Sequence, residues 1–212
     1  MKKRLVVLGD SISVGTHTAE GDKAPCSIAD PNYAKLVSRA LGYDELLNYA
    51  QNGTCISPFK GPFPKDAFLC KAKYAEKGDA VIVAGGTNDF TSEIPLGSLD
   101  DKTENTFMGA VNLLFEALSE SYPCDKVYVI TPIRRLKNAK NGLGLTLEDY
   151  RGALSLLVKK YGFVEIDGYG VPINPQDPLH IEKYMLDGLH PNTEGHRLYA
   201  EYVISRINAA SE

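Results

Sequence analysis

Five short, almost uninterrupted apolar runs set the limits on what this chain can fold into: Leu5–Leu8, Leu46–Tyr49, Ala80–Ala84, Val127–Thr131 and Phe163–Ile166. Each has the length of a strand and is apolar at both alternating positions, so each must be buried on both faces. Between them, apolar residues recur at helical spacing. Phe107, Val111, Leu114, Phe115 and Leu118 form one stripe, and Leu147, Tyr150, Leu154, Leu157, Val158 and Tyr161 another. Asp30-Pro31 reads as an N-cap followed by proline at the first helical position, predicting a helix to about Leu41. A last helix is expected from near Thr193, carrying Leu198, Tyr202, Val203 and Ile207. Buried strands alternating with amphipathic helices predict an α/β fold, a three-layer α/β/α sandwich around a five-stranded parallel sheet. No linker, repeat or low-complexity segment breaks the pattern, so residues 1–212 are expected to form a single domain.

Composition excludes some partners. A net charge of −4 gives no support for a nucleic-acid or membrane-surface partner. No apolar stretch is long enough for a membrane span. The basic start, MKKRLVVLGD, has too short an apolar run for a signal-peptide core. The chain therefore reads as cytoplasmic, or as secreted with its signal already removed. Cys26, Cys55, Cys70 and Cys124 show no C-x-x-C pair and no zinc-ligand spacing, and are expected to be buried reduced thiols. One disulfide among Cys26, Cys55 and Cys70 stays open if the protein is exported.

In open parallel sheets, function gathers at the carboxyl ends of the strands. Three polar, glycine-containing stretches fall there: Gly9-Asp10-Ser11, Asn52-Gly53 and Gly85-Gly86-Thr87-Asn88-Asp89. Singly, each could be turn chemistry. Together they converge on one crevice, with Ser11 at the end of the first strand. A serine hydroxyl becomes a nucleophile only beside a base, itself best oriented by a carboxylate. There are four histidines. His17 lies six residues after Ser11, roughly 240° away if the intervening chain is helical. His196 falls inside the last helix, where packing or surface roles are expected. His180 and His190 remain, each in an Asp-x-x-His pattern with Asp177 or Asp187. His190 is held by Pro191-Asn192-Thr193 and a following helix, whereas His180 falls within a short helix with Ile181 and Tyr184, so context favours His190.

GDS at 9–11, NYAQNG at 48–53, GGTND at 85–89 and DGLHPN at 187–192 resemble, in order, the four blocks of the SGNH or GDSL-type serine hydrolases. The resemblance spans nearly the whole chain and implies a flavodoxin-like SGNH hydrolase fold. It implies Ser11 as nucleophile, with Asp187 and His190 completing the triad. The N–H groups of Ser11 and Gly53 and the side chain of Asn88 would then form the oxyanion hole. No metal or organic cofactor is required. The family cleaves carboxylic esters and thioesters, acetyl groups on sugars included. Ile12 stands where the name-giving motif has leucine, a conservative apolar change. Asp10 and Asp89 are expected to hold turn backbone.

Two other readings are weaker. An α/β-hydrolase elbow needs G-x-S-x-G, and Gly9-Asp10-Ser11-Ile12-Ser13 lacks the second glycine. A flavodoxin-like phosphate- or nucleotide-binding module would set Asp10 against the phosphate, with no lysine in the loop. A degenerate, non-catalytic relative is disfavoured because all five expected catalytic positions are filled. For substrate, a small-molecule or carbohydrate ester with a short acyl chain is expected. Residues 53–68 bring Phe59 and Phe63 towards Gly53 as walls of an acyl pocket or as plain packing. Residues 134–145 carry Arg134, Arg135, Lys137 and Lys140 without an acid, a basic loop read first as solvated and second as an attractor of anionic substrates.

Overall fold

The computed structural model describes residues 2–211. Strand β1 (Arg4–Gly9) leads into the one-turn helix α1 (Ser11–Val14), a small ribbon of β2 (Thr16–His17) with β3 (Ser27–Ile28), and helix α2 (Tyr33–Ala40). Next come β4 (Glu45–Asn48), the short α3 (Phe68–Lys71), β5 (Ala80–Ala84), the short α4 (Thr87–Thr91) and the long α5 (Phe107–Ser119). The chain closes with β6 (Val127–Ile130), α6 (Leu147–Tyr161), β7 (Val164–Ile166), α7 (Pro178–Tyr184) and α8 (Thr193–Ala209). The main sheet has the order β4-β1-β5-β6-β7, parallel throughout.

Strand periodicity divides the core into two layers. Val6 and Leu8 of β1, Val81 and Val83 of β5, and Val127 and Val129 of β6 pack with α5 and α6. Their neighbours Leu5, Val7, Ala80, Ile82, Tyr128 and Ile130 pack on the opposite face with α2 and α8. Both faces are covered, which is why the strands read as unbroken apolar runs. Among the described residues, no helix is long and apolar enough to cross a membrane.

Two expectations need correction. The second helix begins at Tyr33, not at Pro31, because Asn32 is the cap: its Oδ1 accepts the Lys35 N–H at 3.0 Å. The Asp30 carboxylate instead takes the Lys35 ammonium at 2.8 Å. Nor are all the cysteines buried. All four are free thiols, but only Cys55 is buried; Cys70 is half-exposed, and Cys26 and Cys124 lie exposed in connecting segments.

The topology gathers the turns. β1 lies between β4 and β5, so the chain leaves β1 towards one neighbour and later returns on its other side, opening a crevice at the carboxyl edge. Register pairs Gly9 with Ala84 and Val7 with Asn48. The Asp10-Ser11, Gly85–Asn88 and 49–53 turns therefore leave the sheet side by side.

Candidate active site

Ser11 is the first residue of α1, which Asp10 caps by accepting the Ile12 N–H on Oδ1 at 3.0 Å. Gly15 ends this helix after one turn, so the helical angle assigned to His17 does not apply. His17 sits instead on β2, opposite Ser27, with its Nδ1 enclosed and unpartnered. The Ser11 side chain points across the crevice to the loop before α8. Its Oγ lies 2.8 Å from His190 Nε2, and His190 Nδ1 lies 2.8 Å from Asp187 Oδ2.

Local structure holds that loop. Asn192 caps α8 by accepting the Gly195 N–H at 3.0 Å and donates to the Lys183 carbonyl at 2.9 Å. Asp187 Oδ1 accepts the N–H groups of Leu189 and His190 at 2.9 and 2.8 Å. Burial alone would raise the Asp187 carboxyl, but the bonds from the His190 ring and these two N–H groups outweigh it and hold it well below the usual carboxylate range. Asp187 is thus ionised and accepts only, which places the imidazole proton on Nδ1 and leaves Nε2 free to accept the Ser11 hydroxyl.

The other turns supply donors. Gly53 has φ +74°, a left-handed conformation that a side chain disfavours. Among the described residues, neither the Gly53 N–H nor the Ser11 N–H donates to a protein acceptor. Asn88 lies in the first turn of α4, entered through Gly86 at φ +107°. Its Nδ2 donates to the Thr54 carbonyl at 2.9 Å, tying it to the residue after Gly53 and leaving its second amide hydrogen unassigned. Asp89 accepts the Ile56 and Ser57 N–H groups at 3.0 Å each, so its carboxylate fastens the 53–57 turn to α4. Burial pushes Asp89 up to about 7 and Asp10 up to about 6, each offset in part by these backbone bonds.

The other histidines lie apart. His180 is in α7; its Nδ1 accepts the Asn174 N–H at 2.9 Å, and its ring packs edge-on to Tyr184. His196 is fully buried, stacks on Tyr33 and accepts the Tyr33 N–H on Nδ1 at 3.3 Å. The phosphate-cradle alternative meets the Asp10 carboxylate already on the Ile12 N–H. One contact escaped the sequence reading: Thr18 Oγ1 donates to Asp187 Oδ2 at 3.1 Å. Arg135, named there within the basic loop, is drawn onto α4, its Nη1 donating to Thr87 and Thr91 at 3.1 and 3.0 Å. Lys137 and Lys140 are solvated as expected; Arg135 is not. Among the described residues, no group of three His, Cys, Asp or Glu side chains is placed to hold a metal.

Fold and site together define an α/β/α hydrolase. A family model described as GDSL-like Lipase/Acylhydrolase matches residues 7–198, and the chain belongs to that family. It is an ester hydrolase of the GDSL type. A solved structure from Lactobacillus plantarum is 26% identical, with a TM-score of 0.83 over 98% of this chain and 97% of that one. A lipase/acylhydrolase from Enterococcus faecalis is 21% identical, with a TM-score of 0.63 over 98% and 96%. A candidate GDSL-like lipase from Bacteroides ovatus is 17% identical, with a TM-score of 0.70 over 99% of each chain. These two share the fold. No curated protein matches the chain in sequence.

Proposed function

We propose that the protein is a serine esterase for short-chain, chiefly acetyl, esters of small molecules or carbohydrates, acting through Ser11, His190 and Asp187 within one domain. The observation that carries this reading is the unbroken chain from Ser11 Oγ through the His190 ring to Asp187 Oδ2, with both links at 2.8 Å. As the Ser11 oxygen attacks the ester carbonyl, its proton passes to His190 Nε2, and Asp187 stabilises the resulting imidazolium. The carbonyl oxygen becomes an oxyanion, received by the Ser11 and Gly53 N–H groups and the free Asn88 amide hydrogen. Each such donor is worth about 3 kcal/mol in the transition state. Collapse expels the alcohol, which takes the proton back from His190 and leaves Ser11 acylated. Water, deprotonated by the same nitrogen, then attacks the acyl-enzyme and releases the carboxylic acid and free Ser11.

Hydrolysis of p-nitrophenyl esters from acetate to octanoate tests the reading. We expect activity to fall with chain length, to vanish in Ser11→Ala and to persist in His180→Ala. A Ser11→Ala enzyme as active as wild type would overturn it.

A further inference from the structure

Arg135 is a half-buried arginine without a counter-ion. Its Nε is enclosed and unpartnered, and its Nη1 donates only to the neutral hydroxyls of Thr87 and Thr91. The guanidinium lies 5.5 Å from the Phe90 ring centroid. Arg4, Arg151 and Arg197 each hold a carboxylate, but among the described residues no carboxylate reaches ion-pairing distance of Arg135. Leaving a cation partly desolvated and unpaired is costly, so its retention calls for a compensating anion. Burial lowers the Arg135 pKa, and the charge of Asp187 offsets only part of that.

The segment carrying Arg135 borders two places. On one side Arg135 joins Arg134, Asn138, Glu148, Tyr169 and Gln176 around a pocket of about 230 Å³. Glu148 is the only acid in that lining, and its oxygens are already taken by Asn138 Nδ2 at 2.7 and 3.0 Å and by the Tyr169 hydroxyl at 2.8 Å. Arg134 is anchored on the Tyr169 carbonyl and ring, and Asn138 Oδ1 is enclosed without a donor. On the other side, the next residue, Leu136, donates its N–H to the Gly188 carbonyl at 2.7 Å, between Asp187 and His190. The segment that walls the pocket with Arg134 and Arg135 is therefore tied at its next residue to the loop that carries His190.

We infer that this pocket receives the alcohol part of the ester and that Arg135 selects alcohols bearing a carboxylate. The inference rests on the esterase reading above. The base must face the departing alcohol oxygen to return its proton, and the segment walling this pocket is bonded to the loop of that base through Leu136, which points to the alcohol side. A carboxylate there would meet the unpaired guanidinium in charge-assisted hydrogen bonds, with the pocket amides left for hydroxyl or carbonyl groups.

The test compares ω-acetoxyalkanoates, from acetoxyacetate to acetoxypentanoate, each with its own uncharged amide. In wild type, kcat/KM should favour the acid over the amide by about ten- to a hundred-fold at the chain length that reaches Arg135. High salt should shrink that ratio. Arg135→Gln should bring it near unity, with a thermal melt reporting whether the variant folds; the wild-type ratio is decisive without it. Equal kcat/KM for acid and amide at every length would overturn the inference while leaving the esterase reading intact. No hydrolysis of p-nitrophenyl acetate by wild type would instead remove the esterase reading.

Discussion

Thr18 Oγ1 and Asp187 Oδ2 lie 3.1 Å apart although 169 residues separate them, and the same carboxylate oxygen receives the His190 ring. With two backbone N–H groups on Oδ1, the Asp187 carboxylate accepts four hydrogen bonds. Thr18 bonds neither Ser11 nor the His190 ring; in the proposed triad it holds the carboxylate that orients the base. Thr18→Val removes one donor from an ionised acceptor, a loss of about 1.5 kcal/mol. We expect kcat to fall about ten-fold. Thr18→Ser, which keeps the hydroxyl, should restore it. A Thr18→Val enzyme with unchanged kcat would remove Thr18 from the positioning network.

Asn88 offers a sharper kinetic signature. One of its amide hydrogens is committed to the Thr54 carbonyl, which sets the direction of the other. Asn88→Ala should lower kcat about a hundred- to a thousand-fold with little change in KM, because an oxyanion exists only beyond the ground state. Steady-state kinetics on p-nitrophenyl acetate checks this. A rise in KM at constant kcat would place Asn88 in substrate binding instead.

Asp10 couples the Ser11 turn to pH. It is 2% exposed, and burial pushes its carboxyl from 3.8 up to about 6, against the opposing Ile12 hydrogen bond and the charge of His190. In the unfolded chain the group ionises first, so between these values the folded state holds the extra proton. Its contribution to stability is present below the unfolded value and is lost as pH rises through the folded one. The ceiling on that loss is about 3 kcal/mol. Asp10→Asn cannot ionise, so its stability relative to wild type should improve as pH rises from acid to neutral. Urea unfolding at several pH values reads the difference directly. Esterase activity should survive, since the amide oxygen can still accept the Ile12 N–H; a folded but inactive Asp10→Asn protein would give Asp10 a part in the chemistry.

What the sequence made legible follows from how local each signal is. The apolar runs carry the sheet because a strand buried on both faces leaves no polar alternation to confuse it, and Val6–Leu8 or Val81–Val83 have no other place to go. Ser11, Asn88, Asp187 and His190 stand in short blocks whose turns are built from neighbours in sequence. Thr18 had no such signal: it lies in a polar stretch, and only the return of residues 187–190 against β2 gives it a partner. Arg135 read as one of four cations on a solvated loop, because nothing local says that it would be drawn onto α4. The Asp30-Pro31 helix start failed for a related reason: two good caps compete within three residues, and Asn32 is the one whose oxygen reaches an N–H.

Gly53 tests whether backbone conformation or crowding sets the donor beside Ser11. A Cβ added at Gly53 would sit 3.2 Å from Phe63 Cε2, a contact relieved by a few tenths of an ångström. Phe63 is 44% exposed and free to yield that much. The φ of +74° is not relieved by any side-chain movement, and holding alanine there costs about 1 kcal/mol. Gly53→Ala should therefore lower stability by about that amount, and kcat about ten-fold as the N–H turns away from the oxyanion. Removing the crowding should not help: the Gly53→Ala, Phe63→Ala double variant is expected to keep the kcat defect of Gly53→Ala. Phe63→Ala alone should mainly alter KM, because the ring lines the approach to Gly53 without touching the reacting atoms. If the double variant recovered wild-type kcat, contact with Phe63, and not the backbone angle, would govern the Gly53 donor.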